Sequence, residues 1–267
     1  MAWATNVFAL ELRRLIAYRL NFWVQTLASV LVQFVMAYYL WRAIYEYRGA
    51  ASMGGYSFPL LMLYYILVGF LMQIIRGPQF GHIWREIYDG SLTRYLIYPL
   101  SFFGFKFVTY LAFSFLCFLQ LLAALAVYYF VFGGVTEAHL GVMPFVQGLL
   151  ITFVGMCFYF LLSASIEALT LWADSVWSLL EMLRYISNLM GGALIPIVMF
   201  PQWGQKICYL TPFPYLFYLP AQTFLGLVGW SEWLTGLAFL ILWCAIFAGI
   251  LQVIWQRGLR EYTGVGI

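Results

Sequence analysis

The sequence predicts an all-α integral membrane protein. One transmembrane domain over residues 1–267 would hold six spanning helices, an interfacial helix over 1–19, a cytoplasmic loop with a short helix over 76–99, and an external re-entrant hairpin over 193–226. Three observations lead there. Of the 267 residues, 65% are hydrophobic and only 9% charged, whereas soluble domains are about half apolar and about a quarter charged. The apolar residues gather in six long runs, and a hydrocarbon layer of roughly 30 Å needs about 20 of them per helix. The basic residues divide unequally between alternate loops. Each run is assigned to helix because an open chain in lipid satisfies its own backbone groups only that way; a β-barrel would show short alternating segments instead.

Ahead of the first run, Phe8, Leu12, Leu15 and Ile16 share one helical face while Asn6, Arg13 and Arg14 lie opposite, the pattern of a helix lying in the membrane interface. Trp3 and Leu10 interrupt the stripe, and the alternative is a first span that simply starts early. Arg13, Arg14 and Arg19 follow the first apolar residues with no small-residue cleavage site, so no cleaved signal peptide is expected. The spans are expected at 20–41, 57–75, 102–132, 144–172, 176–199 and 233–256. The third and fourth exceed what a bilayer requires, and at about 1.5 Å per residue they should tilt or project into the cytosol.

Between the second and third spans, residues 76–99 read RGPQFGHIWREIYDGSLTRYLIYP. His82, Arg85, Glu86, Asp89 and Arg94 make this the longest polar connection, Gly90 can terminate a helix and Ser91 can begin the next turn. A short helix there could be pushed by a cytosolic motor, or it could be a solvated connection anchored by Tyr95 and Tyr98. Near the fifth run, Glu167, Asp174, Glu181 and Arg184 are ionisable residues at or inside spans, where charge is costly. Glu181 and Arg184 stand at i,i+3 and can pair on one face, as a structural lock or subunit contact rather than a proton relay. Beyond them Pro196, Pro201, Pro212, Pro214 and Pro220 rule out a straight span, yet the segment stays apolar and aromatic. It should fold back into the outer leaflet, as an outer gate or as an interfacial aromatic belt.

Arg13, Arg14, Arg19, Arg76, Arg85, Arg94, Lys106, Arg184, Arg257 and Arg260 fall on one side of this topology, and Arg42, Arg48 and Lys206 on the other. The positive-inside rule then places both termini in the cytoplasm. The net charge of +3 gives no reason to expect nucleic acid as a partner. Cys117, Cys157 and Cys244 lie in apolar runs and Cys208 in an expected external loop, with no disulfide pairing and no metal-ligand spacing. His82 and His139 are expected on opposite sides of the membrane. No phosphate loop of the form G-x-x-x-x-G-K-[ST] is present, nor HExxH or GxSxG, and no internal repeat stands out. No catalytic or metal site is therefore expected.

Three segments resemble the type 2 ABC exporter permeases, the six-span bacterial group. IWREIYDGSLTRYLIYPLS (83–101) is similar to that family's coupling segment, ISNLMGGALIPIVMFPQWGQKICYLTPFPYLFYLPAQTFLG (186–226) to its external stretch, and RGLREYTGVG (257–266) to its usual ending. The resemblance implies a coupling helix that docks on a separate ATPase, formed here by His82, Ile83, Trp84, Arg85, Glu86, Ile87, Asp89 and Gly90. It implies a re-entrant external hairpin before the sixth span, where the outer gate would be formed by Pro196, Phe200, Pro201, Trp203, Pro212 and Pro220. The working unit would hold an ATPase dimer, carrying ATP and Mg²⁺, and a second permease, identical or homologous, in a bacterial inner membrane. The cargo would be amphiphilic or hydrophobic, given walls of Leu, Phe, Ala and Tyr. Two other classes compete: a membrane-embedded lipid-modifying enzyme, which would need clustered carboxylates or a metal site, and a secondary transporter or channel, which would need polar residues at mid-membrane depth.

Overall fold

The computed structural model describes residues 2–77, 82–132, 138–139, 141–173 and 175–262. It is a helix bundle in which, among the described residues, five helices are long and apolar enough to cross a membrane.

The chain opens with α1 (Ala2–Ala17), breaks at Tyr18 (φ −98°, ψ 32°) and continues as α2 (Arg19–Arg48). A separate helix before the first long one was expected, but its packed face differs. Trp3 joins Phe8 and Leu12 against the bundle, with Phe8 edge-on to Phe115 at 6.0 Å. Ile16, expected on the apolar face, is 53% exposed. Chain α2 ends at Gly49 in the left-handed region. Beyond it β1 (Ser52–Met53) and β2 (Tyr56–Ser57) form a two-stranded hairpin whose turn residues, Gly54 and Gly55, both have positive φ, as the tight turns that match strand twist require.

The hairpin feeds directly into α3 (Phe58–Arg76), where the Ser57 hydroxyl accepts from the Leu60 N–H at 3.4 Å and Pro59 occupies the first turn. From Leu60 to Tyr65 every residue is buried, and so are Leu67 to Leu71, Ile74 and Ile75. A helix apolar all round belongs at the centre of its bundle. Accordingly α3 packs on α2, on α6 (Phe102–Phe132) and on α7 (Val142–Ala168). Between α3 and α6 lie two short helices, α4 (His82–Tyr88) and α5 (Leu92–Leu96). At its far end α7 tightens into a 3-10 turn, Leu169–Leu171. The last helix, α11 (Trp230–Glu261), runs along α7. Close approach is allowed where Gly155 faces Leu240, and where Gly258 leaves its surface to Leu171, as small residues do between membrane helices.

The fifth expected span, 176–199, is not a continuous helix. Only α8 (Trp177–Met190) forms, and its 14 residues rise about 21 Å, well short of a hydrocarbon layer. Gly191 and Gly192 end it, Gly192 at φ 79°. After a 3-10 turn at Ile197–Met199 come α9 (Gln202–Tyr209), another at Phe213–Tyr215 and α10 (Tyr218–Phe224). The reason lies in Gly191-Gly192 and Pro196, which stop the helix although hydropathy continues. The carbonyls left open by the break find donors on α3: the Tyr64 hydroxyl donates to Gly192 O at 2.7 Å and the Tyr65 hydroxyl to Leu194 O at 2.8 Å. Tyr65 is itself held by the Trp41 indole N–H at 2.8 Å. All seven residues of α10 are buried, against α7 and α3.

Opposite ends of α3 thus carry opposite chemistry. The β-hairpin caps one end; α4, α5 and the start of α6 gather at the other, with Arg14, Arg76 and Lys106 facing Glu11, Glu86 and Glu167 around a shared cavity. We call these the hairpin end and the basic end.

Candidate functional site at the basic end

A helix of seven residues has almost no intrinsic stability, so α4 exists because of what holds it. Ile83 and Ile87, one turn apart, are buried in a small core with Leu92, Phe102, Ala164, Ala168 and Leu251, which fixes α4 and α5 on α6, α7 and α11. Its open N-terminus is closed from another element. The Glu167 carboxylate, 4% exposed near the end of α7, accepts from the Ile83 N–H at 2.9 Å and the Trp84 N–H at 3.2 Å. A carboxylate at a helix N-terminus satisfies free donors and meets the positive end of the helix dipole. At the other end Gly90, φ 74°, closes α4, as expected. Ser91 precedes α5 without capping it; its hydroxyl turns back to Glu86 O at 3.5 Å.

The side chains of α4 sort by face. Glu86 points inward to Lys106 of α6, Nζ to Oε1 at 2.5 Å, with 17% and 12% of the two side chains exposed. Lys106 lies 4.9 Å above the Tyr95 ring and 5.6 Å from that of Phe102. Burial, and then the adjacent Glu86 carboxylate, push the Tyr95 phenol up to about 12. Outward stand Arg85, Tyr88 and Asp89, all exposed. Hydrogen bonding to Ser91, whose backbone N–H lies 3.0 Å from Oδ1, holds the Asp89 carboxyl below its ordinary value. Trp84 stands between the faces, half-buried, edge-on to Tyr88 at 6.2 Å with the Arg85 guanidinium 5.9 Å from its ring. The side chain of His82 and residue Asp174 lie outside the described residues, as do residues 263–266 of the C-terminal segment.

Glu86 was expected with Asp89 in the docking segment; the fold turns its side chain inward as a strut to Lys106. Together, the Glu167 cap and the Glu86–Lys106 pair join α4 to α7 and to α6. The short helix is thereby tied to two long helices rather than carried on a loose loop. Sequence reading found the segment but neither partner. Nothing in the sequence links Glu167 to residues 84 positions earlier; the only signal was a carboxylate at the end of an apolar run.

The other expected residues are placed as follows. Glu181 and Arg184 do pair on α8, with 22% and 40% of their side chains exposed, and Arg184 lies over the Tyr185 ring at 5.3 Å. Of the residues expected at an external gate, Pro196, Pro212 and Pro220 are buried, Phe200 is half-buried, and Pro201 and Trp203 are exposed. They are spread over the segment from α8 to α10 rather than gathered at one point. Cys208 is buried in α9 rather than lying in an open loop. His139 is exposed, its backbone N–H donating to Leu225 O at 2.9 Å.

The family model described as ABC-2 family transporter protein matches residues 16–266 of this chain. No curated protein and no solved structure matches it.

Proposed function

This chain belongs to the ABC-2 family as one of its membrane permeases, and from that premise we propose that it is the membrane half of an ATP-driven exporter. A separate ATPase dimer, which binds the ATP and Mg²⁺, docks on the outward face of α4. The carrying observation is the bracing of α4: a seven-residue helix held by a buried carboxylate from α7 and an ion pair to α6, with Arg85, Tyr88 and Asp89 left open. Closure of the ATPases on ATP would displace α4, and the two struts would carry that displacement into α6 and α7.

In this reading the basic end faces the cytoplasm of a bacterium, with both termini there, because basic residues stay on that side. The sixth crossing is made jointly by α8 and the segment that follows it, folded back into the outer leaflet, and that segment is the outer gate. A second permease, identical or homologous, covers α8. The Glu181–Arg184 pair and the exposed Trp177, Met182, Tyr185 and Leu189 favour this, since an ion pair open to hydrocarbon is costly. The cargo is amphiphilic or hydrophobic and moves outward from the cytoplasm or the inner leaflet.

The test is copurification. The partner ATPase is expected to come through purification with the wild-type chain and to be lost, at least tenfold, from an Arg85→Glu/Asp89→Lys variant that inserts normally and keeps its thermal midpoint. Trp84→Ala should weaken it as well, since Trp residues dominate interface energetics. Wild-type retention of the ATPase by both inserted variants would overturn the docking assignment.

A further inference from the structure

Behind α4 is a cavity of about 310 Å³ whose walls include Arg14, Arg76, Glu86, Lys106 and Glu167. That volume is at the lower end of ligand pockets, enough for a headgroup and too small for a whole lipid. Its charges are balanced in number but not in pairing. Arg14 pairs with Glu11, Lys106 pairs with Glu86, and Glu167 is held by two backbone N–H groups. Arg76 has no carboxylate in ion-pair contact among the described residues. Its guanidinium bonds instead to the neutral Asn188, to the Ser187 hydroxyl at 3.4 Å and to the Tyr159 phenol, with the Phe217 ring 5.2 Å away and the Glu181 carboxylate acting on it only at longer range. On these walls the buried donor Arg76 Nε and the buried acceptor Glu86 Oε2 make no hydrogen bond.

An arginine cannot shed its charge, and a buried charge without a counter-ion is expensive. A lone anion would remedy Arg76 and leave Glu86 unsatisfied; a lone cation would do the reverse. A ligand carrying both charges answers both, and it leaves the cavity neutral as it is now. A second cavity of about 480 Å³ shares Arg14 with the first, and its walls mix Asn21, Gln25, Thr26, Ser29 and Gln73 with Leu15, Phe22 and Phe113.

We propose that the cavity binds a zwitterionic amine-phosphate group, the phosphate on Arg76 and the ammonium on the free oxygen of Glu86, after a rotamer change in each side chain. The group is either the head of an aminophospholipid-like amphiphile or the free phosphoamine. This deepens the transport reading by naming the headgroup class, and the test uses the isolated chain, so its failure and a failure of ATPase docking are separate results.

The experiment is native mass spectrometry of the full chain released from neutral detergent. Four probes compete in turn: dihexanoyl phosphatidylethanolamine, dihexanoyl phosphatidylcholine, dihexanoyl phosphatidylglycerol and phosphoethanolamine. Phosphatidylethanolamine is expected to occupy the chain saturably and at least fivefold above phosphatidylcholine, which lacks N–H donors, and above the anionic phosphatidylglycerol. Arg76→Gln should lower that occupancy at least tenfold, and Arg76→Lys should restore part of it. Phosphoethanolamine binding as well as the lipid would assign the site to the free phosphoamine; its failure to bind would assign it to the lipid. Phosphatidylglycerol binding as tightly as phosphatidylethanolamine in the wild type, or occupancy unchanged in Arg76→Gln, would overturn the proposal. The first of these needs no variant and decides the matter even if Arg76→Gln does not fold.

Discussion

Replacing Glu167 by Gln removes the charge from the cap of α4 and keeps one carbonyl oxygen to accept from Ile83 and Trp84. Hydrogen bonds to a charged group contribute about 1.5–3 kcal/mol against about 0.5–1.5 for neutral ones, so two weakened bonds cost about 2 kcal/mol. Part of that is recovered because a buried carboxylate no longer has to be desolvated. The net loss expected is about 1–2 kcal/mol, a factor of about 5–30 in the equilibrium between docked and undocked α4. Glu167→Ala leaves both N–H groups unpaired and should cost more, about 2–4 kcal/mol. Amide hydrogen exchange of the chain in lipid nanodiscs reads this directly. Amides of Ile83–Tyr88 should exchange about 5–30-fold faster in the Gln variant, while those in the middle of α11 stay unchanged. Unchanged exchange at Ile83–Tyr88 in folded Glu167→Ala would show that the two short contacts contribute nothing, and the bracing of α4 would have to be given up.

Three other outcomes are expected. In the Glu86–Lys106 pair, Glu86→Gln or Lys106→Met alone should lower stability by about 2–3 kcal/mol by stranding a half-buried charge, while the double change should cost no more than about 1 kcal/mol; a double that loses the sum of the singles refutes the pairing. Gly226→Ala puts a side chain at φ 70° against the His139 carbonyl oxygen, and a loss of about 1–3 kcal/mol follows, measured as a lowered thermal midpoint in a fixed detergent; no change would mean that this turn gives way freely. Because Tyr95 is raised from 10.0 to about 12 when folded, its share of stability is complete below pH 10 and is lost as pH rises toward 12, when only the unfolded phenol ionises. Tyr95→Phe should flatten the fall of the thermal midpoint across that window, and an identical fall in both proteins counts against it.

The helices and their order were legible because lipid leaves the backbone so little choice, and α4 was legible from Asp89-Gly90-Ser91 between two apolar runs. The partners of α4 were not. Glu86 looks like a surface charge until Lys106, 20 residues on, is brought beside it, and Glu167 acquires a role only once α7 has passed the start of α4. Arg76 read as one more basic residue for the loop count, yet its side chain turns back toward α8. The broken fifth run shows the limit of hydropathy most clearly. Leucine, isoleucine and methionine over 176–199 give the same average whether they cross the membrane or line a buried turn, and what separates the two cases is Gly191-Gly192 and Pro196 together with two tyrosines on α3.

Those tyrosines also impose a sequence of events during biogenesis. The carbonyls of Gly192 and Leu194 can be stripped of water only after a donor is in place, and their donors, Tyr64 and Tyr65, lie 128 and 129 residues earlier. As the chain leaves the ribosome, α3 is therefore made long before its clients. By the time the stretch from Gly191 to Gly226 is made, α3 has already left the ribosome and its two phenols are there to receive it. A phenol lost at either position would leave one of those carbonyls without its donor at the moment the stretch is buried, a lesion of assembly rather than of the finished permease.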